Sequence, residues 1–138
     1  MSTTIRPELS EKNPYWIDKH RFYELKHFCL QYPRWKKAKN ELDSLARANI
    51  EVPVSKTNNV SKPVQNYVEQ SMYYSERMEL IERLCNEASL EYGNYIFKAV
   101  TEGLSYNYLK MVLEIPCCKE TYYEAYRRFF WLLSKVRK

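Results

Sequence analysis

Glycine is scarce in this chain, and its scarcity limits the folds that are open to it. Only two of the 138 residues are glycine, Gly93 and Gly103. Glycine supplies the positive φ angles of tight β-hairpins and bulges, and it lines many phosphate-binding loops. The composition therefore argues against an all-β fold and against a glycine-rich nucleotide loop. The hydrophobic content of 45% is high enough for a folded domain with a buried core.

Apolar residues recur at helical spacing along most of the chain, which predicts an all-α fold. The first period covers Tyr15–Gln31, and Pro33 then predicts a kink or a fresh helix start. Ser61 is a suitable N-cap for a long helix that continues to about residue 91, with Gly93 as its expected end. The small side chains of Ser71 and Ser75, in the middle of this stripe, would allow another helix to approach closely.

The C-terminal residues predict two helices joined by a turn. Gly103 closes a short helix, and Ser105 is a suitable N-cap for the next one. Pro116 prevents that helix from continuing, and Cys118 falls at the expected N-cap of the last helix. The predicted fold is thus an all-α helical bundle with a long central helix and a C-terminal helix-turn-helix. Its expected segments are a flexible arm at 1–13, an N-terminal basic helical segment at 14–48, a linker loop at 49–61, and the long helix plus helix-turn-helix at 62–138.

The last helix begins with polar and aromatic residues and ends with apolar ones. A DNA-reading helix-turn-helix has this order, because the recognition helix offers its N-terminal residues to base edges and packs its remainder into the domain. Hydroxyl groups and cations in its first turns suit contacts to bases and phosphates. The alternative is a helical hairpin of a small bundle that binds no ligand. The residues expected to pack this helix down are Phe129, Phe130, Leu132 and Leu133.

Charge is distributed unevenly along the chain, whose net charge is +5. Basic residues exceed acidic ones in 19–47 and 119–138, whereas acidic residues are in excess in 62–100. Basic ends of this kind suit a polyanionic partner, although a solvated helical surface has the same composition. The tail residues Lys135, Arg137 and Lys138 strengthen the interpretation as a DNA-binding protein.

Motifs for enzymes, metals and membranes are lacking. The four cysteines include no Cys-x-x-Cys spacing, and the adjacent Cys117 and Cys118 cannot easily bind one ion. No nucleophile elbow or zinc helix is present, and the glutamates of the middle helix have the spacing of a solvated face. No apolar run is long enough for a membrane span. We therefore expect no enzyme activity, no metal, no cofactor and no membrane partner, and free cysteines without a signal peptide suggest a cytoplasmic protein.

A family resemblance runs through most of the chain. The stretch from Gly103-Leu104-Ser105 through Thr121-Tyr122-Tyr123 to Leu132-Leu133 resembles the helix-turn-helix of phage late-transcription regulators of the ArpU/RinA kind. The C-terminal modules of those regulators are similar to region 4 of bacterial sigma factors. The block Tyr32–Leu42, followed by a loop and a helix from Ser61-Lys62-Pro63-Val64, resembles their layout too. The chain differs from them in a longer turn and in having Cys118 at the capping position.

The resemblance implies a prophage-encoded protein that binds double-stranded promoter DNA and acts with host RNA polymerase to switch on late genes. A homodimer through the long helix remains open. In the helix before the turn, Ser105, Tyr106 and Asn107 would face the DNA backbone. A second phosphate-contacting surface would be formed by Arg34, Lys36, Lys37 and Lys39, for which a solvated helix face is the alternative. The candidate DNA contacts of the last helix are Lys119, Thr121, Tyr122, Tyr126, Arg127 and Arg128.

Two other functions fit the same sequence. A basic surface rich in tyrosine also suits a phage-encoded inhibitor of a host nucleic-acid enzyme or defence nuclease, because Tyr and Arg are favoured anchors of protein interfaces. A small terminase-type packaging subunit also carries a helix-turn-helix, but it assembles as a ring.

Overall fold

The helical periods of the sequence form six α-helices, and no β-strand, within the residues that the computed structural model describes, 13–51 and 61–137. This confirms the all-α prediction. The predicted arm lies outside the described residues except for Asn13, and so does the central part of the predicted linker. The helices are α1 Lys19–Leu30, α2 Tyr32–Glu51, α3 Ser61–Ala88, α4 Gly93–Glu102, α5 Tyr106–Met111 and α6 Lys119–Val136.

The chain divides into two compact units. The first unit comprises the residues up to Gln31 and those from Ile81 onward, and the second unit is Tyr32–Leu80. The division therefore falls inside the segment 14–48, which the sequence alone groups as one element. It also falls within α3, whose last turns belong to the first unit.

The first apolar period forms one helix, which begins later than the spacing suggests, and a second helix follows it. The carboxylate of Asp18 accepts the backbone N–H of His20 at 3.0 Å and so caps α1, which starts at Lys19 rather than near Tyr15. Pro33 lies at the second position of α2, where a missing N–H costs nothing. The fresh helix start predicted from this proline is thus confirmed.

The first unit has a continuous apolar core. In this unit α4 packs against α1, α5 and α6, and α6 also packs against α1. Burying each large side chain contributes about 1.5–3 kcal/mol. The core therefore holds α6 firmly enough to fix which of its faces remains exposed. Its fully buried large side chains are Phe22, Leu25, Ile81, Leu84, Ile96, Leu109, Ile115, Tyr122, Phe129, Phe130 and Leu133.

The second unit joins α2 to α3 through a polar contact. Ser71 is buried, and its hydroxyl donates to the Asp43 carboxylate at 2.6 Å. The ammonium of Lys39 lies 2.7 Å from the other carboxylate oxygen of Asp43. These two hydrogen bonds lower the pKa of Asp43, the bond from Lys39 contributing most. Ser71 therefore faces α2, with Asp43 as its hydrogen-bond partner.

The two glycines have different roles. Gly103 follows α4 in the left-handed conformation at φ 72°, and its N–H bonds to the Ala99 carbonyl at 2.8 Å, as expected for a C-cap. Gly93 does not end the long helix, because α3 stops at Ala88 and Gly93 is the first residue of α4. A Cβ atom at Gly93 would lie 2.9 Å from the Cys85 carbonyl oxygen, so glycine allows the start of α4 to approach α3.

Candidate nucleic-acid interface

The connection from α5 to α6 is pinned by buried groups. Tyr106 is buried, and its hydroxyl donates to the Cys117 carbonyl at 2.7 Å. The N–H of Ile115 donates to the Leu109 carbonyl at 3.1 Å, and the Ile115 side chain is fully buried. Glu114 takes the left-handed conformation at φ 54°, where glycine would be less strained. This turn is longer than the three or four residues usual in a helix-turn-helix, yet side chains and backbone hydrogen bonds fix its path.

The helix before the turn is shorter than its sequence period suggests. It covers Tyr106–Met111, and the apolar Val112 that follows it is 56% exposed. Ser105 accepts the Tyr108 N–H at 3.2 Å, which confirms its predicted N-cap role and occupies its hydroxyl oxygen. Asn107 is exposed beside it. Of the three residues expected to face a DNA backbone, Tyr106 is buried instead, so only Asn107 keeps a side chain free of the packing described above.

Helix α6 starts at the predicted position. Cys118 has an extended backbone and stands at the N-cap, but its side chain makes no capping hydrogen bond to the backbone. Its thiol lies 3.1 Å from the Thr121 hydroxyl, and its carbonyl accepts the Tyr122 N–H at 3.0 Å. The thiol therefore does not satisfy a backbone N–H as serine would at this position.

The inner face of α6 contains two tyrosines that the sequence analysis assigned to DNA. Tyr122 is 1% exposed, with its ring centroid 5.5 Å from that of Tyr106. Tyr126 is half-buried, with its ring 4.9 Å from that of Phe130. Burial raises the pKa of both hydroxyls. Tyr122 is a core residue and cannot reach DNA without local unfolding, so we remove it from the candidate contacts, and Tyr126 serves mainly in packing.

The C-terminal half of α6 packs as expected. Phe129, Phe130 and Leu133 are fully buried, while Leu132 is half-buried. The ring of Phe130 lies 5.0 Å from that of Phe22 on α1 in an edge-on arrangement. The first turns of α6 therefore project from a well-anchored base.

One exposed side of α6 combines cations with a tyrosine, and we call it the contact flank: Lys119, Glu120, Tyr123 and Arg127. Successive spacings of four place Lys119, Tyr123 and Arg127 along one side of the helix. The ammonium of Lys119 lies 5.9 Å from the Tyr123 ring centroid. Lys119 and Glu120 are exposed, and Tyr123 and Arg127 are half-buried. Arg127 takes part in none of the ion pairs found in the described residues.

Tyr123 was not among the candidate contacts predicted from the sequence. Tyr122 and Tyr123 are adjacent, and composition alone does not distinguish the tyrosine that packs from the tyrosine that is partly exposed. The four-residue spacing from Lys119 to Arg127 was the signal that favours Tyr123.

The other exposed side of α6 faces an acidic groove of about 600 Å³ within the first unit. Thr121, Glu124 and Arg128 line it from α6, and Glu87 and Glu91 line it from the opposite wall. Glu87 is paired with Arg83 at 3.9 Å, but Glu91 and Glu124 still outnumber the one guanidinium of the lining, so the groove keeps negative charge, which repels phosphate groups. Thr121 and Arg128 therefore lie on a surface that suits DNA less well than the contact flank.

Two cations of the basic tail, Lys135 and Arg137, lie against aromatic rings. The ammonium of Lys135 lies 3.5 Å from the Trp131 ring centroid, and the guanidinium of Arg137 lies 3.9 Å from that of Phe28. Arg21 donates to the Ser134 and Arg137 carbonyls, which satisfies the C-terminal end of α6. These cations stabilise the fold. Lys138 lies outside the described residues.

The basic residues of α2 belong to the second unit. Arg34, Lys36 and Lys37 are exposed, whereas Lys39 is half-buried and paired with Asp43. Lys36 and Lys37 line an open groove of about 910 Å³ along α2 that also exposes Leu45. Three of the four predicted cations are thus accessible to an anionic partner.

Metal-ion clusters and membrane-spanning helices are absent from the part of the chain that the structure describes. No group of three or more His, Cys, Asp or Glu side chains is arranged to hold a metal ion there. Of the free cysteines only Cys118 is exposed, and burial raises the pKa of the Cys29 thiol well above its usual range. None of the helices within the described ranges has the length and apolarity to cross a membrane.

Comparison with known proteins finds no match for this chain. Neither a protein-family model, nor a curated protein, nor a solved structure is significantly similar to it. A function for the contact flank is therefore inferred from its own geometry and charge.

Proposed function

We propose that the chain is a sequence-specific DNA-binding protein that inserts the first turns of α6 into the major groove. The contact flank is the observation that carries this proposal. Lys119 is the first residue of α6 and Arg127 lies about two turns later, on a helix whose inner face and C-terminal half are anchored in the core. Phosphate neutralisation by Lys119 and Arg127 and a groove contact from Tyr123 are the roles that this arrangement supports.

Helices α4 and α5 support the proposed recognition helix α6. Helix α4 packs against both α5 and α6, and this packing supports our assignment of α6 as the recognition helix of a helix-turn-helix. Asn107 is exposed at the start of α5, and this exposure supports assigning it a contact with the phosphate backbone. The accessible cations of α2 provide an additional phosphate-binding surface.

The biological role that we propose is regulation of phage late transcription. The resemblance to regulators of the ArpU/RinA kind supports it, and it makes promoter DNA and host RNA polymerase the partners. In this role the protein recruits or redirects polymerase, as the similarity of such modules to sigma region 4 implies.

The acidic groove favours a second function, binding to a basic protein surface. Its three carboxylates and the 93% exposed Leu90 at its wall suit a cationic protein partner better than DNA. Like the inhibitor alternative it makes a protein the partner, but the surface differs, because that alternative was based on a basic surface rich in tyrosine. A packaging subunit is the third alternative, and a ring-sized mass in solution would identify it.

The experiment that tests the proposal is selection of bound duplexes from a random DNA pool at low and at moderate salt. Enrichment of one motif at moderate salt is the expected result. Binding without sequence preference that disappears with salt, or no binding, would contradict the proposal and favour the protein-binding alternative.

A further inference from the structure

Glu120 is an acidic residue in the middle of the contact flank. It is exposed in the first turn of α6, between Lys119 and the next turn of the helix. It takes part in none of the ion pairs found within residues 13–48 and 65–137. A carboxylate in this position repels DNA phosphates, so a contact flank built only for general affinity would not include one.

We propose that Glu120 is a specificity residue that accepts a hydrogen bond from the N4 amino group of a cytosine in the major groove. This inference rests on the proposed DNA-binding function. A carboxylate has only acceptor atoms at neutral pH, and the cytosine amino group is the donor with which Glu and Asp characteristically pair in the major groove.

The position of Glu120 supports this role. The N-terminal residues of a recognition helix contact base edges, and Glu120 is the second residue of α6. Arg127 lies seven residues further, two helical turns along the same side, and neutralises phosphate while Glu120 faces the bases. The two cations attract the DNA phosphates, and the carboxylate repels them. The attraction offsets the repulsion only where the correct base donates a hydrogen bond to the carboxylate. The carboxylate thereby reduces affinity for wrong sequences.

The same carboxylate also has a favourable interaction with the N-terminus of the helix dipole, which requires no DNA. That role predicts a change in stability and no change in base preference. Measuring the base preference of a Glu120 variant therefore distinguishes the two roles.

The test compares the selected motifs of the wild-type protein, Glu120→Gln and Glu91→Gln. Glutamine keeps the size of the side chain but adds an amide donor, and Gln pairs with adenine through N6 and N7. Glu91→Gln is the matched control, because it removes one exposed carboxylate of the same unit from the wall of the acidic groove.

For Glu120→Gln we expect one cytosine of the wild-type motif to lose its preference or change to adenine, with discrimination at that position falling by about fivefold or more. General affinity for random duplex should rise, because a negative charge has been removed. Glu91→Gln should keep the wild-type motif. Circular dichroism of each variant confirms that it is folded.

An unchanged motif in Glu120→Gln would overturn the inference while leaving the proposed function intact. A wild-type motif without a cytosine preference would do the same. Absence of duplex binding by the folded wild-type protein would overturn the proposed function itself, and the inference with it.

Discussion

The turn that positions α6 depends on one buried hydroxyl, and Tyr106→Phe removes that hydroxyl alone. The ring remains and keeps its neighbours, since the centroids of Tyr122 and Tyr123 lie 5.5 and 6.2 Å away. No cavity of significant size forms. What is lost is the 2.7 Å hydrogen bond to the Cys117 carbonyl, which then lacks this donor one residue before the N-cap of α6.

Leaving a buried acceptor without its donor costs about 1–3 kcal/mol of unfolding free energy. At roughly 4 °C per kcal/mol for a domain of this size, the midpoint of thermal unfolding should fall by about 4–12 °C. Tyr108→Phe is the matched control, because Tyr108 lies on the same short helix but is 44% exposed. Its cost should stay within about 0.5 kcal/mol.

Urea unfolding followed by circular dichroism measures both variants. Tyr106→Phe should lower the midpoint with an unchanged dependence on denaturant, because the surface exposed on unfolding is nearly the same. Equal stability of the two variants would show that the hydroxyl does not hold the turn, and the explanation of how α6 is positioned would be wrong.

Two further predictions concern the second unit and the glycine at the start of α4. The hydrogen bonds to Asp43 lower its pKa in the folded state. They therefore stabilise the folded protein at pH values above the pKa of Asp in the unfolded chain, about 4. This stabilisation is lost as the pH falls through the lower pKa of Asp43 in the folded state. Asp43→Asn should therefore be less stable than wild type at neutral pH and approach it in acid, as urea unfolding at several pH values would show; a pH-independent difference would contradict this. Gly93→Ala places a Cβ 2.9 Å from the Cys85 carbonyl oxygen and should cost about 1–3 kcal/mol. A thermal melt that matches wild type would show that α4 can move away without loss.

Local signals in the sequence predicted the helix ends well. Ser105 and Gly103 cap helices where expected, and Pro33 lies in the first turn of α2, because helix ends depend on a few neighbouring residues whose chemistry is visible in the sequence. The position of Cys118 was predicted for the same reason. Gly93 was misassigned because a glycine required for close approach to another helix has the same sequence context as a C-cap.

The candidate site was predicted only in part, because burial depends on tertiary packing. Lys119 and Arg127 remain exposed or half-exposed as expected. Tyr122 and Tyr123 are chemically identical neighbours, and only the packing of α6 against Tyr106 decides that the first is buried. Two of the three carboxylates near Arg128, Glu87 and Glu91, come from a distant part of the sequence, so the helix spacing of α6 could not reveal them.

The pair of adjacent arginines on α6 provides the most direct test of the central claim. The measurement is the affinity for a duplex, by fluorescence anisotropy over a series of salt concentrations, for wild type, Arg127→Ala and Arg128→Ala. Both substitutions remove one positive charge from neighbouring positions, so net charge cannot distinguish them. Arg127 lies on the contact flank, whereas Arg128 lines the acidic groove. Arg127→Ala should weaken binding and reduce the slope of log affinity against log salt by about one, while Arg128→Ala should leave the slope unchanged. Equal effects of the two substitutions, or a larger effect of Arg128→Ala, would contradict the assignment of the contact flank as the DNA-binding surface.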